Sequence, residues 1–233
     1  MRAWWVMGFV SCIAAQPVRQ QDFSPWPATT LPAASGTYDS WSLVLLDGAN
    51  DAVCLDGSPP GYYIERGARG AGWMIHLQGG GWCRSLDECA QRATTALGSS
   101  KSYATDKDGV LGGYDGGAHG LFSNSSSVNP DFHNFTKVYV RYCDGGSFSG
   151  DTAAAHGHGT LHFRGRRVLD AVLDDLTANQ GLAPGTTLLT NGCSAGGLAV
   201  WLHLDYIAAR LRGVKVRRKR RAAPSPCSVR VWE

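Results

Sequence analysis

The chain has 233 residues, 43% of them hydrophobic, which is enough for one domain with a sizeable core. Its net charge of +3 is unevenly placed, because eight Lys and Arg residues lie between Arg210 and Arg221 with no acidic residue among them. The other 14 basic residues face 19 acidic ones, so the body is mildly acidic and a broadly basic nucleic-acid-binding body is excluded. Beyond residue 15 no apolar stretch approaches the length of a membrane span.

The N-terminal region has the pattern of an exported protein. Residues 1–15 resemble a secretory signal, with an early Arg2, an apolar run and a small pair at Ala14 and Ala15; the weaker alternative is a buried strand. Residues 16–41 are rich in Pro, Ser, Thr and Ala and are predicted to be a disordered lead-in. Six of the seven cysteines follow residue 15, which indicates disulfides, and sequons at Asn124 and Asn134 agree with export.

Alternating strand and helix patterns predict an α/β fold. The predicted strands are residues 42–46, 62–64, 73–78, 137–142 and 186–190, and the predicted helices are residues 85–97, 161–180 and 196–211. Ser85 and Glu88 form a capping-box pattern at the first helix. The apolar stripe of the second helix consists of Leu169, Val172, Leu173 and Leu176, and that of the third of Leu198, Leu202 and Ile207. Strands separated by helices indicate a mostly parallel sheet.

A Gly-x-Ser-x-Gly motif, residues 192–196, lies between the last predicted strand and the last helix. In that context the motif predicts a strained turn that raises the hydroxyl of Ser194 at the carboxyl edge of the sheet, with a helix N-terminus behind it. A glycine-rich turn with a chance serine is the alternative. We call residues 192–196 the serine turn.

A second glycine-rich turn follows the strand 73–78. Residues 79–82, Gly-Gly-Gly-Trp, are called the glycine turn. Its backbone N–H groups, together with that of Ala195, suit the stabilisation of an oxyanion in acyl transfer. A phosphate-binding loop is the alternative, but the Lys-Ser/Thr ending of a P-loop is absent.

These motifs together resemble a known family, the plant pectin acetylesterases, which are relatives of the Notum carboxylesterases. The resemblance runs from about Ser42 to Leu211, on motifs at residues 56–60, 79–83, 98–101, 129–132, 141–145, 161–165 and 192–197. It implies an α/β-hydrolase fold, incomplete here at the C-terminus, and removal of acetyl groups from cell-wall pectin. It also implies a secreted, monomeric enzyme that needs no cofactor or metal and binds neither nucleic acid nor membrane.

Residue by residue, the resemblance makes Ser194 the nucleophile and Gly80, Gly81 and Ala195 the oxyanion donors. Within the matched motifs, Trp82 and Asp144 are the substrate-binding candidates. The family often has an acidic residue where this chain has Gln78, a difference expected to alter local hydrogen bonding.

Other residues carry weaker signals. A loop with His156 and His158 could line the site, although a solvated loop is favoured, and His76 is expected to be a packed core histidine. A uronate carboxylate could pair with Arg141 or Arg164, for which ordinary ion pairing is equally reasonable. The remaining expectations concern cysteines: a buried thiol at Cys193 and a local disulfide between Cys83 and Cys89.

Resemblance to the family stops after residue 215, before the segments that carry the triad Asp and His. After Ser194 the chain offers only His203, Asp205 and Glu233; their order is wrong, and His203 would lie about 13 Å along the helix from Ser194. The chain as written is therefore expected to be an impaired esterase. The alternatives are a non-catalytic carbohydrate-binding remnant and a nucleic-acid role for the basic tail. Residues 217–233 are expected to be disordered, and the nucleophile strand or its neighbour to have an unpaired edge.

Overall fold

In the computed structural model, the described residues are 40–49, 51–106, 111, 120–157, 159–216 and 227–231. The predictions for residues 1–15, for most of the lead-in, for His158 and for the basic run 217–221 lie outside them. The last residue of the predicted disordered lead-in is nevertheless ordered: Trp41 is buried and packs edge-on against Phe122, with ring centroids 5.7 Å apart.

One sheet organises the fold, and its strand order is β1-β2-β4-β3-β7-β8, with β9 also paired to β7. The strands are β1 Ser42–Leu45, β2 Gly61–Glu65, β3 Trp73–Leu77, β4 Thr136–Val140, β7 Thr187–Cys193, β8 Lys215–Val216 and β9 Cys227–Val231. Strands β3, β4, β7 and β8 run parallel, whereas β1, β2 and β9 join by antiparallel pairing. The α/β class is confirmed, but the sheet is mixed rather than mostly parallel.

The helices are α1 Leu86–Arg92, α2 Gly165–Ala178 and α3 Ala195–Arg210. Ser85 caps α1 by accepting a hydrogen bond from the N–H of Glu88 at 3.2 Å, as predicted. The Glu88 carboxylate, however, accepts from Arg84 N rather than closing the capping box on Ser85. Helix α1 ends at Arg92, five residues before the predicted end.

The second helix begins later in the chain than the sequence predicts. Residues 161–163 belong to a small antiparallel hairpin of β5 Thr152–His156 and β6 Gly159–Phe163. The helix itself starts at Gly165, and its predicted apolar stripe is fully buried. Leu161 to Phe163 are compatible with either structure, and pairing with β5 favours the strand.

The core occupies both faces of the sheet because strand side chains alternate between them. On one face, α2 and α3 pack against residues such as Ile75 and Leu77. On the other face, an aromatic cluster includes Tyr63, Phe122 and Tyr139. The predicted buried face of α3, which combined Leu198, Leu202 and Ile207, is wrong. Ile207 is buried, but Leu198 and Leu202 are exposed beside Trp201.

The chain beyond α3 does not behave as predicted either. Strand β8 pairs with Thr187 and Leu188 of β7, and β9 pairs with Leu189 to Cys193 of the same strand. Strand β7 is therefore paired along its length, and Cys227 to Val231 form a strand, contrary to the expected disorder. Among the described strands β8 and β9 pair with β7 alone, so the predicted unpaired edge falls on the neighbours of β7. Among the described residues, no helix is long and apolar enough to cross a membrane.

Candidate active site

The serine turn has the strained geometry that its motif predicts. Ser194 stands between the end of β7 and the first residue of α3, with φ of 52° and an exposed side chain. A Cβ at Gly192 would approach the backbone of Gly196 to 2.5 Å, and one at Gly196 would overlap the carbonyl oxygen of Leu77. The two glycines let strand, helix and β3 pass close together, and this packing holds the serine in its unfavourable conformation.

The glycine turn lies next to the serine turn because β3 and β7 are parallel neighbours, with Leu77 opposite Gly192. Gly80 and Gly81 have φ of 133° and 68°, values that L side chains rarely adopt. Within the described part of the chain, the N–H groups of Gly80 and Gly81 have no acceptor, and Ala195 is the first residue of α3, where N–H groups lack intrahelical partners. All three predicted oxyanion donors therefore lie at adjacent strand ends.

Two side chains hold the carbonyl groups of the glycine turn. Arg92 Nη1 donates to the Gly80 carbonyl at 2.9 Å, and the hydroxyl of Tyr142 donates to the Gly81 carbonyl at 2.9 Å. The Arg92 guanidinium also lies 4.9 Å from the centre of the Tyr142 ring, a cation–π contact. These two bonds fix the peptide groups that follow Gly80 and Gly81.

A disulfide fixes the end of the glycine turn. Cys83 is bonded to Cys89 of α1, which confirms the predicted local bridge. A second disulfide joins Cys54 to Cys143, the third residue after β4. The prediction that Cys193 carries a buried thiol is wrong in part: the residue is buried, but it is also disulfide-bonded.

Trp82, a predicted substrate-binding residue, is 50% exposed at the end of the glycine turn. Its indole N–H donates to Ser147 Oγ at 2.8 Å, which fixes the orientation of the ring. An exposed, oriented aromatic ring at the end of the glycine turn can contact a bound molecule.

Asp144, the second predicted substrate-binding residue, is only 2% exposed. Its carboxylate accepts from the N–H groups of Gly146 and Phe148 at 3.1 Å, and burial raises its pKa to about 6. A Cβ at Gly165, the first residue of α2, would overlap this carboxylate. These contacts argue against a direct role in substrate binding, and we assign Asp144 to holding the loop 143–150.

Gln78, at the start of the glycine turn, is buried and uses its side-chain oxygen to accept from Tyr142 N at 3.0 Å. An acidic side chain at position 78, as the family often has, could accept the same hydrogen bond from Tyr142 N, so this contact does not depend on glutamine. The polar side chain serves to tie the ends of β3 and β4 together.

None of the five described histidines has a hydrogen bond to Ser194. His203 is buried and its Nε2 contacts Ser149 Oγ at 3.1 Å, and burial lowers its pKa. His76 is the packed histidine predicted, hydrogen-bonded to Asn191 and stacked on Tyr139. His156 lies 3.2 Å from Asp87 of α1.

The two arginines considered for a uronate have protein partners. Arg141 is fully buried and lies 3.0 Å from Asp106, and Arg164 lies 3.0 Å from Asp151. Over the described residues, no group of three or more His, Cys, Asp or Glu side chains could hold a metal ion.

Sequence reasoning missed Arg92, Tyr142 and Ser147, which support the glycine turn. Arg92 lies on a short helix and Ser147 in an irregular loop, so neither belongs to a periodic pattern or to a catalytic motif. The one usable signal was the position of Tyr142, the last residue of the predicted strand 137–142, whose carboxyl end meets that of β3.

Comparisons with known proteins agree with this geometry. A family model described as Pectinacetylesterase matches residues 34–222. Pectin acetylesterase 11 of Arabidopsis thaliana is 44% identical over 166 residues, which cover 70% of this chain and 40% of that protein. The palmitoleoyl-protein carboxylesterase NOTUM of Schmidtea mediterranea is 33% identical, with coverage of 83% and 35%.

The same fold occurs in a solved structure. The Wnt deacylase Notum from Drosophila matches with a TM-score of 0.60 and 28% identity, over 72% of this chain and 47% of that one. The chain thus spans about 40% of the length of the pectin acetylesterases that it matches.

Proposed function

The chain belongs to the pectinacetylesterase family, and from that premise we propose that it is a serine carboxylesterase that removes acetyl groups from pectin, with Ser194 as nucleophile. The observation that carries the proposal is the exposed Ser194 at φ of 52°, beside Gly80 and Gly81, whose N–H groups have no acceptor among the described residues. A serine hydroxyl in that position is poised for attack on an ester.

In the proposed reaction, Ser194 Oγ attacks the acetyl carbonyl and the negative charge develops on the carbonyl oxygen. The N–H groups of Gly80, Gly81 and Ala195 stabilise that oxyanion, and each such donor contributes roughly 2.7–4 kcal/mol to the transition state. A general base takes the serine proton and returns it to the leaving sugar oxygen, and water then hydrolyses the acetyl-enzyme. Since no described histidine contacts Ser194, the base is not assigned to any of them.

The proposed substrate and location rest on separate observations. Trp82 presents a half-exposed ring next to the reactive serine, which suits contact with a sugar. The disulfides Cys54–Cys143 and Cys83–Cys89 suit an oxidising compartment, and they support secretion to the cell wall. The signal at residues 1–15, a monomeric state and the lack of nucleic-acid binding stay predictions.

The test is acetate release from acetylated pectin and from an aryl acetate by the 233-residue chain and its Ser194→Ala variant. We expect slow acetate release that depends on Ser194, because its hydroxyl is the proposed nucleophile and no described histidine is hydrogen-bonded to it. Equal rates for the chain and for Ser194→Ala on both substrates would refute the proposal.

A second candidate function is binding of acetylated pectin without turnover. It is favoured by the lack of a hydrogen bond between Ser194 and any described histidine and by the exposed ring of Trp82. Retention of the chain on immobilised acetylated pectin, reduced by Trp82→Ala and unaffected by Ser194→Ala, would support it if acetate release were absent.

A further inference from the structure

Ser147 occupies an unusual position in the loop between β4 and β5. It is 2% exposed, with φ of 55°, and the next residue, Phe148, has φ of 58°. Two successive non-glycine residues with positive φ cost of order 1–3 kcal/mol each unless their surroundings hold them. The loop must therefore be fixed by contacts on both sides.

Those contacts come from the residues just before it. Ser147 N donates to the hydroxyl of Tyr142 at 3.0 Å, and Phe148 N donates to the buried carboxylate of Asp144. Both N–H groups of the strained pair are thereby satisfied. The conformation turns the Ser147 hydroxyl towards the serine turn and the glycine turn.

The hydroxyl of Ser147 then joins the two turns. Its Oγ donates to the Ala195 carbonyl at 2.9 Å and accepts from Trp82 Nε1 at 2.8 Å. A serine hydroxyl has one proton and two lone pairs, so both bonds form together. Tyr142 adds a parallel connection, because its hydroxyl accepts from Ser147 N and donates to Gly81 O.

We propose that Ser147 is a positioning residue that locks the glycine turn onto the first residue of α3. One side of the proposed oxyanion hole is built from Gly80 and Gly81 and the other from Ala195. Ser147 fixes their separation without touching the substrate. The structural part of this inference stands on the hydrogen bonds, and its catalytic part rests on the proposed function.

The structural part is tested by hydrogen exchange of the full chain, read by mass spectrometry on peptides that cover residues 79–83, where the Cys83 N–H donates to the Gly145 carbonyl at 3.3 Å and reports how firmly the turn is held. Ser147→Ala removes both hydroxyl bonds, of which only the bond from Trp82 reaches the glycine turn. We therefore expect exchange in the turn to rise about fivefold, the effect of losing one ordinary hydrogen bond. The control is Ser127→Ala, an exposed serine whose hydroxyl contacts Ser125 Oγ at 2.7 Å and neither turn. It should exchange as the wild type does, and wild-type exchange in Ser147→Ala would overturn the inference.

Ser147→Gly provides a second variant if Ser147→Ala fails to fold. Glycine accepts φ of 55° without strain and also lacks the hydroxyl, so the same rise in exchange is expected. Unchanged exchange in this variant would equally overturn the inference.

The catalytic part is tested with a small acetate ester. Ser147→Ala should lower kcat roughly tenfold to hundredfold, as expected when reacting groups are misplaced, and change KM less than about twofold. Ser127→Ala should keep wild-type values. Raised exchange with unchanged kcat would overturn the catalytic part. If the wild type shows no Ser194-dependent turnover, the proposed function is refuted, and the structural part of the inference is then tested by the exchange measurement alone.

Discussion

The carbonyl oxygen of Leu77, at the end of β3, occupies the space that a side chain at Gly196 would need. Gly196 is the second residue of α3, so the start of α3 packs directly against the end of β3. The relationship explains why the Gly-x-Ser-x-Gly motif ends in glycine here: any Cβ would have to push β3 and α3 apart.

We therefore expect Gly196→Ala to destabilise the protein. Alanine gains up to about 1 kcal/mol of helix propensity, but the overlap with the backbone of β3 costs about 1–3 kcal/mol or more, so the net effect is a loss. Urea unfolding followed by circular dichroism measures it. Gly159→Ala is the control, because a Cβ at Gly159 meets nothing within 4 Å. A Gly196→Ala variant as stable as the wild type would contradict the packing described.

The serine turn and the glycine turn could be predicted because their chemistry needs glycine at fixed positions in the chain. Ser147 could not, because its role arises from a strained loop that only the folded contacts reveal. For Leu198 and Leu202 the sequence pattern was misleading. Their spacing fits a buried helical stripe, but the sheet packs against α3 on the side of Ala199, Val200 and Ile207. Hydrophobic spacing predicts an apolar face on a helix, but it does not predict which neighbouring element packs against the helix.

The two described pairs of bonded cysteines should differ in their contribution to stability. The Cys54–Cys143 bridge closes 89 residues of chain and Cys83–Cys89 closes six. By loop-closure entropy the first contributes about 4–5 kcal/mol and the second about 2 kcal/mol. Replacing both cysteines of each pair by alanine and comparing urea unfolding tests this order, and a larger loss from the Cys83–Cys89 pair would contradict it.

Burial of Asp144 should make stability depend on pH. Burial raises its pKa to about 6 from an ordinary value of 3.8, so the folded state binds the proton more tightly than the unfolded state does. The contribution is fully present below about pH 4 and is lost as the pH rises through about 6, by about 3 kcal/mol in total. Asp144→Asn removes this change. A constant difference in unfolding free energy between wild type and variant across that window would refute the assignment.

His76 should act in the opposite direction. Burial lowers its pKa to about 4 from 6.5, so the unfolded state binds the proton more tightly. Stability is then lost as the pH falls from about 6.5 to about 4, by about 3 kcal/mol. His76→Gln, which keeps a donor for Asn191, should remove that loss. Chemical unfolding at successive pH values, compared with Asp144→Asn, separates the two effects; the same pH dependence in His76→Gln as in the wild type would contradict this account.

Trp82 offers the sharpest test of how substrate is held, since its ring is half exposed while its indole N–H is bound by Ser147. If the ring stacks on a sugar of the polymer, Trp82→Ala should raise KM for acetylated pectin roughly two- to tenfold, the effect of losing one aromatic contact. KM for glycerol triacetate, which has no sugar ring, should stay as in the wild type.

Trp82→Phe is the matched variant, because it keeps an aromatic ring and loses only the N–H that Ser147 accepts. We expect it to retain most of the affinity for pectin while kcat falls for both esters, since the glycine turn loses one of its anchors. Steady-state kinetics of the three proteins on the two substrates separate these effects. An equal rise in KM for both substrates in Trp82→Ala would show that the ring shapes the turn and does not bind the sugar.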